Sequence, residues 1–100
     1  MRALFLAALL LSLPVVASAG VIERACLSSD RAFGNRPLCS CIQQAADRTL
    51  TARDQRQAAR LFRDPDRAQQ VRMSTRRSDE AFWTRYQSFG AFAEVVCARS

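Results

Sequence analysis

Four cysteines constrain the fold of this chain more than any other feature of its sequence. They lie at positions 26, 39, 41 and 97, and four cysteines can form two disulfides in three ways. A bridge between Cys39 and Cys41 would close a strained ring across a single residue, so these two should bond to different partners. We favour Cys26–Cys39 with Cys41–Cys97, while Cys26–Cys41 with Cys39–Cys97 is nearly as compatible with the sequence.

The beginning of the chain has the three parts of a secretory signal peptide. Arg2 supplies the charged start, residues 3–13 form an apolar run, and Ala17, Ser18 and Ala19 resemble a cleavage site. The apolar run is 11 residues long, whereas a helix needs roughly 20 to cross a bilayer. We therefore expect residues 1–19 to be removed, no membrane span to remain, and a periplasmic or secreted product. Disulfides persist in such oxidising compartments.

Residues 20–100 then form a single domain with a thin core. Of the 34 apolar residues in this range, 12 are alanine, which leaves 22 bulkier side chains including the cysteines. A domain of this size buries only about 60% of its unfolded surface and often needs covalent support. Two disulfides would each contribute roughly 3 to 4 kcal/mol by the loop-entropy model, so we expect them to stabilise the fold.

The apolar pattern predicts an all-α fold: an irregular bundle of four to five short helices stapled by two disulfides. The chain has only three glycines and three prolines and no alternating apolar and polar stretch. Helix starts are indicated by Asn35 before Pro37, Thr51 with Asp54, Asp64 before Pro65, and Ser78 before two acids. The predicted helices cover about 22–28, 37–49, 51–63, 65–73 and 78–98, with loops at 28–36 and 74–77.

Each predicted helix has an apolar side that should face the core. The last helix concentrates the aromatic residues, with Trp83 and Phe92 at the edges of its apolar stripe and Gly90 interrupting its polar side at a cost of about 1 kcal/mol. The expected inward residues are Ile22, Ala25 and Cys26; Leu38, Cys41, Ile42, Ala45 and Thr49; Ala58, Leu61 and Phe62; and Phe82, Tyr86, Phe89, Ala93 and Val96.

Arginines supply the candidate binding surface. Arg53, Arg56, Arg60 and Arg63 would line one side of the third helix within about 80° of arc, and Arg67 continues the row, followed by arginines 72, 76 and 77. Guanidinium groups bind phosphate and carboxylate in bidentate fashion. A solvated helix face would have the same composition, and the acids at 54, 64 and 66 should dilute its charge.

The charge balance favours an anionic partner. Without Arg2, 14 arginines and no lysine stand against nine acidic residues, a net charge of +5. The interspersed acids and the lack of interleaved aromatics argue against nucleic acid. The hypothesis is a non-catalytic binding module for an anionic envelope component or an acidic protein.

The sequence offers little for catalysis, metal binding or a cofactor. It contains no histidine, the usual base and a common zinc ligand, so we expect neither an enzyme nor a metalloprotein. A thiol redox protein using Cys39 and Cys41 is an alternative, although redox pairs usually have the spacing Cys-x-x-Cys.

Four segments and the closing Cys97 resemble a known family. The segments are ERACLSSD at 23–30, LCSCIQQ at 38–44, FRDPDRAQ at 62–69 and FWTRY at 82–86. They are similar to small exported four-cysteine bacterial proteins of unknown function, some of which are catalogued under the name arginine transporter. The resemblance implies, as a further alternative, an accessory role in arginine uptake. It does not imply a permease, because nothing after Gly20 approaches a run of about 20 apolar residues.

Overall fold

The computed structural model describes residues 20–30, 32 and 34–100, and the predicted signal peptide lies outside them. Within these residues the chain forms five helices and no strand, which confirms the all-α prediction. The helices are α1 (Val21–Leu27), α2 (Arg36–Thr49), α3 (Ala52–Arg63), α4 (Pro65–Arg72) and α5 (Arg77–Val96).

Three of the predicted helix starts are confirmed by side-chain caps. Asn35 Oδ1 accepts a hydrogen bond from Leu38 N at 3.2 Å, and Thr51 Oγ1 accepts one from Asp54 N at 3.1 Å. Asp64 Oδ1 accepts from Arg67 N at 3.2 Å, and Pro65 follows it. Such caps satisfy N–H groups that have no partner in the first turn of a helix, so these starts could be read locally.

The last helix begins within one residue of its predicted start, but the predicted cap at Ser78 is wrong. α5 begins at Arg77, and its N-cap Arg76 makes no side-chain cap bond. Ser74 acts instead: its Oγ accepts from Arg76 N at 3.2 Å and donates to Asp79 Oδ2 at 2.7 Å. This serine therefore joins the turn before α5 to its first acidic residue.

α1 and α5 each pack against several other helices. α1 contacts α2 and α3, whereas α5 contacts α2, α3 and α4. Half of the twelve buried core residues are alanines, and Phe82 and Ile22 are the largest side chains that are fully buried. Small side chains allow helix axes to approach closely, so a core poor in bulky residues still packs.

Both disulfides have the pairing favoured from the sequence. Cys26 bonds to Cys39, which joins α1 to α2, and Cys41 bonds to Cys97, which joins α2 to the end of α5. Gly34, in the loop before α2, has φ of +75°, a left-handed conformation that glycine adopts without steric cost.

Two predicted inward faces need correction. On α2 the buried residues are Cys39, Gln43, Ala45 and Ala46, while Thr49 is exposed. The reason is that α1 and α5 cover different sides of α2, so its interior is not a single stripe. On α5, Val96 is 46% exposed, because Ala93 and Cys97 occupy the side of the helix that faces the core.

Candidate functional site

The arginines of α3 lie on its solvent side, as their spacing predicted. After Ala52, the exposed residues of α3 are all arginines: Arg53, Arg56, Arg60 and Arg63. The intervening positions are buried or half-buried. Arg67 is exposed on α4, directly after the Asp64–Pro65 junction. We call these five residues the arginine face.

The single acidic residue of α3 is turned away from this face. Asp54 is buried, and its carboxylate oxygens accept hydrogen bonds from Arg85 of α5, at 2.7 Å from Nε and 3.1 Å from Nη2. The hydrogen bond to Asp54 is the main cause that raises the pKa of Arg85, against a smaller opposing effect of desolvation. The expectation that Asp54 dilutes the charge of the arginine face is therefore wrong.

The guanidinium groups of the arginine face have no ion-pair partner among the described residues. Asp64 and Asp66 are exposed near Arg67, but Asp64 caps α4. The positive charge of the face is thus left available at the Arg53 to Arg63 end and is moderated by acids near the α3–α4 junction.

Arg56 borders a groove of about 780 Å³ between the start of α1, α2 and α3. The buried side chain of Gln43 lines this groove. Gln43 Nε2 donates to Asp47 Oδ1 and to Gln55 Oε1, both at 2.8 Å, and its Oε1 accepts from Glu23 N at 2.9 Å. The network satisfies the Gln43 amide internally, so it is a structural element at the edge of the arginine face.

A second groove, of about 530 Å³, lies on the other side of α2, against α5 and Phe62 of α3. Tyr86 is at the centre of the aromatic cluster beside it, with ring centroids 5.3 Å from Trp83, 5.7 Å from Phe82, 6.0 Å from Phe89 and 6.5 Å from Phe62. Burial raises the pKa of the Tyr86 phenol. Gly90 also lines this groove, so its position on the polar side of α5, expected from the sequence, is wrong.

The cysteines do not form a reactive pair in this structure. Cys39 and Cys41 belong to different bridges, and no cysteine is free. A redox step between these two neighbours would require both bridges to open. Among the described residues there is also no group of three or more Cys, Asp or Glu arranged to hold a metal ion.

Three residues that shape these sites were missed from the sequence. Arg85 is distant from Asp54 along the chain, Gln43 is a polar residue on an inward side, and Gly90 resembled a simple interruption of a helix. No local signal marks Arg85, because its partner lies on another helix. Gln43 has Asp47 one turn away on α2, but its other two partners lie on α1 and α3. Gly90 did carry a signal, since a glycine inside a long helix is unfavourable.

Comparison with known proteins found no matching family model, no matching curated protein and no matching solved structure. Throughout the part of the chain that the structure describes, no helix combines the length and the apolar character that crossing a bilayer requires.

Proposed function

We propose that this protein is a non-catalytic binding module that uses its arginine face to hold an anionic partner outside the cytoplasm. The observation that carries the proposal is the division of charge on α3. Its exposed positions after Ala52 are all arginine, and its one carboxylate is withdrawn into a bond with Arg85. An α-helix that only needed a solvated side would be served equally well by mixed charges.

The length of the arginine face favours a partner with several anionic groups. An α-helix rises about 1.5 Å per residue, so Arg53 and Arg63 are separated by about 15 Å along the axis. A single phosphate or carboxylate would engage one or two guanidinium groups. A row of this length suits an acidic protein segment or an envelope polymer with repeated phosphate or carboxylate groups.

The two disulfides support a location in an oxidising compartment. Such bonds form and persist in the periplasm and in secreted proteins and are rare in the cytosol. This agrees with the export expected from the first 19 residues. The partner would then be an anionic component of the cell envelope or of the surroundings of the cell.

The test compares two triple variants of equal net charge. The first, Arg56→Gln, Arg60→Gln and Arg63→Gln, removes the centre of the arginine face. The control, Arg36→Gln, Arg48→Gln and Arg99→Gln, removes three other exposed arginines outside α3 and α4. Retention of both variants and of the unaltered domain is measured on a phosphocellulose matrix and on immobilised polyglutamate over a series of salt concentrations.

We expect the α3 variant to lose most of its salt-sensitive retention while the control variant keeps it. By counterion release, the slope of log affinity against log salt should fall by about 2 when three contacts are lost. Equal retention of the two triple variants would mean that net charge alone acts, and it would overturn the proposal. Retention of the α3 variant at the level of the unaltered domain would overturn it as well.

A further inference from the structure

The groove beside Tyr86 has the dimensions of a small-molecule site. Its volume of about 530 Å³ lies within the range of about 300 to 1,000 Å³ that ligand pockets occupy. Leu38 and Ile42 of α2 form one wall, and Tyr86 and Phe89 of α5 form the other, with Phe62 at the α3 side. We call it the Gly90 groove.

Gly90 is the residue whose presence needs an explanation. It stands inside the 20-residue helix α5, where glycine is less favourable than alanine by about 1 kcal/mol. Its backbone does not require glycine, because the positive-φ glycine among the described residues is Gly34. No neighbouring helix approaches closely either, since a Cβ at Gly90 would meet nothing within 4 Å. The missing side chain therefore has one evident effect, which is to keep the groove open.

The groove is also electrostatically unlike the rest of the surface. In a domain with 14 arginines, none of the lining residues is an arginine, and the one charged side chain is the carboxylate of Glu94. Glu94 and Gln87 are exposed and Tyr86 is half-buried, and among the described residues none of the three side chains has a hydrogen-bond or ion-pair partner. Apolar walls with a few unpaired polar groups are typical of a ligand site.

The order of these residues along α5 sets the polarity of the groove. Tyr86, Gly90 and Glu94 are four residues apart and so lie on one side of the helix. About 12 Å separates the aromatic end from the carboxylate end, at about 1.5 Å per residue. A ligand lying along this row would have an apolar body over Gly90 against the aromatic rings and a polar head near Glu94.

We propose that the Gly90 groove binds a hydrophobic organic cation, with its aliphatic or aromatic body between α2 and α5 and its single ammonium group against Glu94. An anionic amphiphile would place its charge beside Glu94 without a compensating guanidinium. A zwitterionic amino acid would leave its carboxylate unpaired for the same reason. This site is separate from the arginine face, so its test does not depend on the anionic partner.

The experiment uses three probes that share an eight-carbon chain: octylamine, octanol and octanoate. Binding to residues 20–100 with both disulfides intact is followed by the fluorescence of the single tryptophan, because Trp83 is 5.3 Å from Tyr86 between ring centroids. Chemical shifts of the backbone amides of Gly90 and Glu94 locate the bound probe. Sedimentation in the absence of probe shows whether a second copy of the chain fills the groove.

Two variants and two matched controls make the test specific. Gly90→Leu fills the groove, and Gly90→Ala adds one methyl group at the same place. Glu94→Gln removes the charge of the groove, and Glu80→Gln removes an exposed carboxylate of the same helix that does not line it. Circular dichroism and the melting temperature of each variant establish that it is folded.

We expect saturable binding of octylamine about fivefold tighter than of octanol, the preference that an exposed ion pair provides, and weaker binding still of octanoate. Gly90→Leu should reduce the octylamine affinity at least about tenfold, and Gly90→Ala should reduce it by a smaller factor, whereas Glu80→Gln should retain it. Glu94→Gln should remove the preference for the amine and leave octanol binding unchanged.

Several results would overturn the proposal. The first two are a failure of octylamine binding to saturate and an affinity for octanoate equal to that for octylamine. The others are chemical-shift changes that avoid Gly90 and Glu94, and an unchanged octylamine affinity in folded Gly90→Leu. A dimer whose interface shifts map to the same residues would assign the groove to self-association instead. If Gly90→Leu fails to fold, Glu94→Gln decides the matter, since retention of the amine preference in that variant contradicts the site.

Discussion

Arg85 of α5 holds the buried carboxylate of Asp54 by two hydrogen bonds, although the two residues are 31 positions apart in the sequence. The bond joins the middle of α5 to the first turn of α3. It also keeps the only acidic residue of α3 off the arginine face. One interaction thus connects the packing of the bundle with the charge of its surface.

We expect Asp54→Asn and Arg85→Gln each to lower the melting temperature by about 5 °C, a shift of the size expected in a small domain for the loss of one moderate interaction. The side chain of Asp54 is 8% exposed whereas that of Arg85 is 49% exposed, so solvent screens the pair only on the arginine side. A double-mutant cycle measures the coupling. Additive effects of the two substitutions would contradict the importance of the pair.

Gln43 of α2 caps the N-terminus of α1. The N-cap Gly20 has no side chain to offer, and Gln43 Oε1 accepts from Glu23 N instead. Gln43→Leu should therefore cost about 1 to 2 kcal/mol in the free energy of unfolding, by removing the acceptor of that N–H and the donor to Gln55 Oε1. Chemical denaturation checks this value, with the exposed Gln44→Leu as the control; equal stabilities of the two variants would refute the capping role.

The two disulfides should differ in their contribution to stability. Cys41–Cys97 closes a separation of 56 residues and Cys26–Cys39 one of 13, so the loop-entropy model assigns about 4 and about 3 kcal/mol. We expect the Cys41→Ala and Cys97→Ala pair to destabilise the domain more than the Cys26→Ala and Cys39→Ala pair. Denaturant unfolding of both variants measures the difference. An unchanged melting temperature after complete thiol reduction would contradict the thin-core interpretation.

The stability of the domain should fall at alkaline pH because of Tyr86. Burial raises the pKa of its phenol in the folded state, whereas the unfolded phenol titrates near about 10. The unfolded chain therefore loses the proton first, and stability that is fully present below about pH 9 declines above about pH 10, by at most about 1.4 kcal/mol per pH unit.

Few other side chains can obscure this titration. The chain has no lysine, no histidine and one tyrosine, and its cysteines are all bonded. The absorbance of the phenolate therefore reports Tyr86 alone, and Tyr86→Phe should abolish the alkaline loss of stability between about pH 10 and pH 12. A phenolate midpoint at or below about 10 would contradict the effect of burial.

The cysteines illustrate how far sequence reasoning reaches in this protein. Because a Cys39–Cys41 disulfide would be strained, two pairings remained open, and the favoured one is confirmed. Choosing firmly between them required the relative placement of α1, α2 and α5. Likewise, the stripe on α5 was correct for Phe82 and Phe89 and wrong for Val96, because where a helix side meets its neighbours depends on helices elsewhere in the chain.

The amino-acid sequence by itself determined the helical content, three of the four proposed helix caps and the solvent side of α3. These depend on contacts within about one helical turn, and such contacts follow from residue spacing. Tertiary structure alone decided the Asp54–Arg85 bond, the Gln43 network and the opening of the groove at Gly90. Each of these joins or separates helices that are far apart in the chain, and only the packing of the bundle brings their side chains within reach.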